Sequence, residues 1–202
     1  TVKSTSLYDG TDSHTVGGWT KVPLVDSSST FDSGYSNNSA ETLSNKNIGL
    51  QITNQDIQEI TSVTFEVDAG TSSSDTVAVY VQSSGENTST LIGTADGSAG
   101  TKTVTPSSPV TVNDPDDFIV YIYQQSGSAI NSSAQHSGSA TNSNANMVYT
   151  SGQNSNPNWT DWLDVSWSTP NGMEMTVGYT SQSSGTGTML SFENTAGETI
   201  SY

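Results

Sequence analysis

Apolar and polar residues alternate along this chain in short runs, each closed by a segment rich in Ser, Thr, Asn and Gly. A period of two sends successive side chains to opposite faces, so these runs predict half-buried β-strands and not helices. In ITSVTFEVD, from Ile60 to Asp68, the residues Val63, Phe65 and Val67 share one face and Thr64, Glu66 and Asp68 the other. In DTVAVYVQ, from Asp75 to Gln82, Val77, Val79 and Val81 point to the core and Ala78 and Tyr80 away from it. The two runs read as an antiparallel hairpin or a neighbouring connection. DFIVYIYQ, from Asp117 to Gln124, is apolar on both faces, with Phe118, Val120 and Ile122 set against Ile119, Tyr121 and Tyr123. Such a strand is either central with both faces covered, or shows an aromatic face to a neighbour.

Further strand-like runs are Trp19–Val25, Asn47–Ile52, Ser89–Ala95, Thr101–Thr105, Pro109–Val112, Asn146–Thr150, Trp162–Trp167, Met173–Thr180 and Thr188–Asn194. The nearest approach to an amphipathic helix, Ser44–Ile60, is too β-branched and too rich in Asn to form one. Many short strands separated by turn residues predict an all-β chain. We expect a single domain over residues 1–202, a jelly roll or β-sandwich of about 8–12 antiparallel strands. Residues 125–146 carry almost no core-forming side chains and are expected to form a long exposed polar loop.

Composition narrows what such a body can do. Hydrophobic residues make up only 31% of the chain, so the core must be thin and tightly patterned. Twenty acidic residues face four lysines (Lys3, Lys21, Lys46, Lys102) and no arginine, for a formal net charge of −16. A surface of that sign repels a phosphate backbone and an anionic membrane, so neither nucleic acid nor an anionic membrane surface is an expected partner. It also repels itself, a cost that fades in concentrated salt, where the Debye length falls to about 3 Å at 1 M. A saline medium fits this charge, against the plainer reading of an acidic surface in an ordinary medium, and charged residues are only 12% of the chain. There is no cysteine, so disulfides do not contribute. No apolar run approaches the roughly 18 residues of a membrane span, and the opening TVKSTSLYDG lacks a signal-like stretch. The corresponding expectation is synthesis in a host cytoplasm without a signal peptide.

Recognisable catalytic chemistry is sparse. Nucleophilic catalysis lacks a Cys, a G-x-S-x-G elbow and a positioned base, because His14 and His136 both sit in polar loop sequence. Acids are plentiful enough for the two carboxyls of a glycoside hydrolase, which is kept as a second alternative. In NDPDD, Asn113–Asp117, the carboxylates of Asp114, Asp116 and Asp117 are the calcium candidates, against the plainer reading of an Asp-Pro turn; YDGTD adds Asp9 and Asp12. No cofactor is otherwise expected. In WTDWLDVSW, alternation places Leu163, Val165 and Trp167 on the core side and Trp162 with Asp164 on the polar side. Trp162 and Asp164, together with Tyr121 and Tyr123, form the candidate contact set, either a protein interface or a sugar platform. Asn37, Asn87, Asn131 and Asn158 head N-x-S/T sequons, a pattern expected by chance in so Asn- and Ser-rich a chain.

The order of strands from ITSVTFEVD through DFIVYIYQ to MEMTVGYT, with the acidic, arginine-free composition, resembles the single jelly-roll capsid proteins of icosahedral viruses that infect halophilic archaea. The resemblance implies a capsid or capsid-surface component of an extracellular virion, packed against copies of itself and other virion proteins, with no active site. A tail, spike or decoration protein of the same fold gives a similar pattern. The alternative from a different class is a carbohydrate-binding β-sandwich module or a receptor-binding spike or adhesin meeting a host glycan.

Overall fold

The computed structural model describes residues 26–34, 46–67, 73–125, 134–135, 142–164, 172–182, 191–193 and 199–201. The chain divides into two compact units. Of one, the described part is a small antiparallel hairpin, β14 (Ser191–Glu193) with β15 (Thr199–Ser201). The other, Asp26–Ser183, carries the main architecture.

In that unit, β1 (Asp26–Asp32), β2 (Ile48–Thr53), β3 (Glu59–Val67), β4 (Thr76–Ser83), β5 (Thr90–Asp96), β6 (Gly100–Val104), β7 (Val110–Thr111) and β8 (Asp117–Gln124) follow in order. Then come β9 (Ala134–Gln135), β10 (Ala145–Thr150), a single 3-10 turn at Trp159–Asp161, β11 (Trp162–Asp164), β12 (Gly172–Met173) and β13 (Met175–Gln182). One sheet runs β1-β13-β3-β6, with β7 also on β3, and a six-stranded sheet runs β11-β10-β2-β8-β4-β5. Every pairing is antiparallel.

The pairs β1·β13, β2·β8, β3·β6 and β4·β5 are nested one inside the next, as in a long hairpin rolled up about its tip. That nesting, split over two sheets, is the jelly roll that the sequence predicts. The 3-10 turn is the only helical element among the described residues, and none of their helices is long and apolar enough to cross a membrane.

Alternation explains which residues fill the space between the sheets. Val63, Phe65 and Val67 of β3 meet Val77, Val79 and Val81 of β4, and Phe118, Val120 and Ile122 of β8, in one buried cluster. Each such burial contributes about 1.5–3 kcal/mol. The inward and outward assignments of β3, β4 and β8 hold, and β8 is central, with Ile119 and Tyr121 buried on its outer face as well.

Two expectations are corrected, and one strand is added to those the sequence predicts. The runs of β3 and β4 are not a hairpin: they lie in different sheets, and the rolled topology sends the chain across between them. Asp26–Asp32 is a strand despite the sequence DSSSTFD, because β13 supplies its ladder and one apolar residue, Phe31, suffices to anchor it in the core. Leu163 is 46% exposed because β11 is an edge strand whose inward side has no sheet opposite it among the described residues. The expected run Trp19–Val25, and Val165 and Trp167, fall outside the described residues, as does most of 125–146, where β9 pairs with β12 and β10 already begins at Ala145.

Candidate functional site

Residues 142–164, between β8 and β13, extend the six-stranded sheet and cover part of its outer face. Strand β10 adds to the β2 edge and β11 adds to β10. Between them, residues 151–161 leave the sheet plane and run back over that face. Cross-strand register defines one row on this face: Leu91 on β5, Tyr80 on β4, Tyr121 on β8, Gly49 on β2, Val148 on β10 and Asp164 on β11.

Rings stack along this row. Tyr80 lies on Tyr121 with centroids 5.4 Å apart and planes 15° from parallel. Tyr123 meets Tyr80 edge-on at 6.2 Å, and Trp162 meets Tyr121 edge-on at 4.9 Å. Offset and edge-to-face pairs of this kind each add about 0.5–1.5 kcal/mol beyond area burial. Gly49 makes the arrangement fit: a Cβ there would stand 2.7 Å from the Tyr121 Cβ and 2.8 Å from the Ile119 Cγ2.

The polar tips of Tyr121 and Trp162 join the insertion to the sheet. The Tyr121 hydroxyl donates to the Ser155 carbonyl at 2.7 Å. The Trp162 Nε1–H donates to the Gln82 Oε1 at 2.7 Å, while the Gln82 Nε2 donates to the carbonyls of Pro157 at 2.7 Å and Glu86 at 2.8 Å. Gln82 is fully buried, so a carboxamide with both ends engaged is what the site requires. Asn47 secures the near end of the strap, donating from Nδ2 to the Asn154 carbonyl at 2.6 Å, and Asn156 Oδ1 accepts from the Ser89 N–H at 3.1 Å at the far end. Burial raises the Tyr121 phenol well above the ordinary tyrosine value. Burial, then the neighbouring Tyr123, also raises Tyr80.

The structure therefore brings Trp162, Tyr121 and Tyr123 into one aromatic cluster and leaves Asp164 at the far end of the row, exposed and accepting from Asn146 Nδ2 at 2.8 Å. Tyr121 is sealed, and Trp162 is half-buried with its indole N–H engaged. Tyr80, Gln82, Ser155 and Gly49 belong to the cluster but were not among the sequence candidates. The outward placement of Tyr80 by alternation was the signal for the first; nothing in one sequence marks the other three.

The three carboxylates named as calcium candidates accept hydrogen bonds around the β7–β8 turn. Asp116 Oδ1 accepts from the Asp56 N–H at 3.3 Å, Asp117 Oδ1 from Gln51 Nε2 at 2.7 Å and Asp114 Oδ1 from the Asp116 N–H at 3.4 Å. These bonds tie the β7–β8 turn to β2 and to the β2–β3 turn, where Asn54 and Asp56 take positive φ values of 54° and 50°. Among the described residues, no three acidic or histidine side chains gather in a group able to hold a metal ion. His14, His136, Asp9 and Asp12 lie outside the described residues.

No family model and no curated protein matches the chain. Among solved structures it is similar to the clostridial cysteine protease Cwp84 after propeptide cleavage, with a TM-score of 0.54 and 16% identity, over 77% of this chain and 40% of that one. A second structure, of the cysteine protease and lectin-like domains of Cwp84, a surface-layer-associated protein of Clostridium difficile, gives a TM-score of 0.46 and 16% identity over 69% of this chain and 33% of that one. The likeness to the first is one of fold, and the chain spans well under half of that protein's length.

Proposed function

We propose that this jelly roll is a structural module of an extracellular assembly, a virion capsid or capsid-surface component, whose work is to pack against copies of itself and against other virion proteins in concentrated salt. The observation that carries this reading is the placement of the two exposed large hydrophobics found among the described residues. Leu91, 47% exposed, lies on β5, and Leu163, 46% exposed, lies on β11, at the opposite edges of the six-stranded sheet. A body with an apolar side chain at each end of one sheet is suited to side-by-side, head-to-tail contact with the next copy. The charge of −16 opposes that contact unless salt screens it, as it does at molar concentration. The structural neighbour is a cysteine protease, and this chain has no cysteine to carry such chemistry.

Sedimentation velocity in molar salt and again at about 50 mM, where the Debye length lengthens severalfold, tests the reading. Association is expected at high salt, to be lost on dilution of the salt and weakened by Leu91→Asp. A monomer at every salt concentration would overturn it.

A second reading, a carbohydrate-binding module, draws on the half-buried pair Tyr80 and Tyr123 beside exposed Leu91. Retention on a polysaccharide gel that disappears in Tyr123→Ala would favour it; Trp162 is a weaker platform because its N–H is already engaged.

A further inference from the structure

The inner core and the outer aromatic layer leave one sequence feature unabsorbed, the N-x-S/T motifs. Two of them fall on described residues, Asn87-Thr88-Ser89 in the β4–β5 turn and Asn158-Trp159-Thr160 at the far end of the strap. They are 71 residues apart in sequence by number, 158 less 87, yet the roll and its insertion bring them to one corner. The buried Gln82 Nε2 donates at once to the carbonyl of Glu86, which precedes Asn87, and to the carbonyl of Pro157, which precedes Asn158.

Both asparagines stand on the surface of rigid turns. Asn87 is exposed, in a turn shaped by Gly85 at φ 75° and closed by the Glu86 N–H on the Ser83 carbonyl at 3.2 Å. Asn158 is exposed at the start of the 3-10 turn, its N–H on Asp161 Oδ2 at 3.0 Å and its carbonyl accepting the Asp161 N–H at 2.9 Å. The backbone of Asn158 is therefore committed to the fold, and both residues are exposed. The half-buried Trp159 packs inward against the aromatic cluster, which directs its neighbours Asn158 and Thr160, both exposed, outward.

We infer that Asn87 and Asn158 form a paired N-glycan attachment site at this corner. The donor is a polyprenyl-phosphate- or polyprenyl-pyrophosphate-linked oligosaccharide. The carboxamide Nδ2 forms a bond to the anomeric carbon, the bond from that carbon to the phosphate oxygen breaks, and the lipid phosphate leaves. One amide proton passes to base, so the step is a transfer with no change of oxidation state. The two acceptors differ in when they are open. The motif hydroxyl of Ser89 is buried once the turn closes, so transfer to Asn87 precedes folding. Thr160 is exposed, and Asn158 stays open in the folded protein.

Intact-mass and glycopeptide mass spectrometry of the protein purified from its producing cells or particles tests the inference. The expected result is a mass above the 21.1 kDa of the polypeptide, with sugar on peptides containing Asn87 and Asn158. Asn87→Gln and Thr160→Ala, both at exposed positions, should each remove one glycan's mass and leave the other. An intact mass equal to that of the polypeptide, sugar confined to Asn37 or Asn131, or sugar on only one of Asn87 and Asn158, would each overturn the paired site.

Discussion

The two faces of the six-stranded sheet are packed by opposite means. Toward the other sheet, β2, β4 and β8 present Leu50, Val79, Phe118 and their neighbours, aliphatic and phenyl groups with no polar atom to satisfy. Away from it, β4 and β8 present Tyr80, Gln82 and Tyr121; the two rings stack, and Tyr121 and Gln82 bond to the backbone of residues 155 and 157. The first face is non-directional, so size and pattern are enough to fill it. The second is directional, and each donor needs its acceptor in place. The inner layer thus holds the roll together, and the outer layer fixes the insertion on it.

The largest expected effect comes from the inner layer. Phe118→Ala removes a fully buried ring between the sheets and should cost about 3–5 kcal/mol, much of the stability of an ordinary domain. Denaturant unfolding should show an early and still cooperative transition, with the strap and the roll lost together. If the insertion melted separately while the roll stayed intact, the division between the layers would be misplaced.

Gly49→Val strikes the outer layer from beneath. The added side chain meets Tyr121 Cβ, Ile119 Cγ2 and, at 2.9 Å, the Val120 carbonyl, which as backbone cannot swing aside. Overpacking of this kind costs about 1–3 kcal/mol. The indole of Trp162 should move off Tyr121, so tryptophan fluorescence is expected to shift toward that of a solvated ring at a temperature where far-ultraviolet circular dichroism still reports an intact sheet. An unchanged emission spectrum would show that the aromatic layer tolerates the methyl groups.

The contrast also explains what could be read from one sequence. Alternation in ITSVTFEVD, DTVAVYVQ and DFIVYIYQ reveals the inner layer because a period of two is written in the residues themselves. The double apolar character of DFIVYIYQ further signals that the outer face of β8 is covered. What covers it is not legible, since the strap SGQNSNPN has the composition of any polar loop and is held through its backbone carbonyls, which carry no sequence signature. Gln82 reads as the end of a strand, and its role depends on Glu86, Pro157 and Trp162 arriving from three places. Likewise DSSSTFD becomes a strand only because β13, more than 140 positions later, lies alongside it. For Trp162 and Asp164, alternation placed both on the outer side correctly, but the register that joins the first to Tyr121 and leaves the second at the rim is a property of the assembled sheet.

The smallest effect separates the layers most cleanly. Tyr121→Phe keeps the ring, its stacking on Tyr80 and its edge contact with Trp162, and deletes only the donor to the Ser155 carbonyl. A single hydrogen bond of this kind contributes about 0.5–1.5 kcal/mol. Amide hydrogen exchange should quicken in residues 152–158 and remain unchanged in β2 and β8. The same variant carries a pH dependence. Burial raises the folded-state pKa of Tyr121 above its ordinary 10.0, so the neutral phenol is favoured in the fold. The contribution is fully present below pH 10 and falls as pH rises from there toward the folded value, because the unfolded chain releases the proton first. Wild-type stability should therefore decline more steeply above pH 10 than that of Tyr121→Phe. Parallel alkaline slopes for the two proteins would mean that the hydroxyl is open to water and that the strap does not seal the outer face.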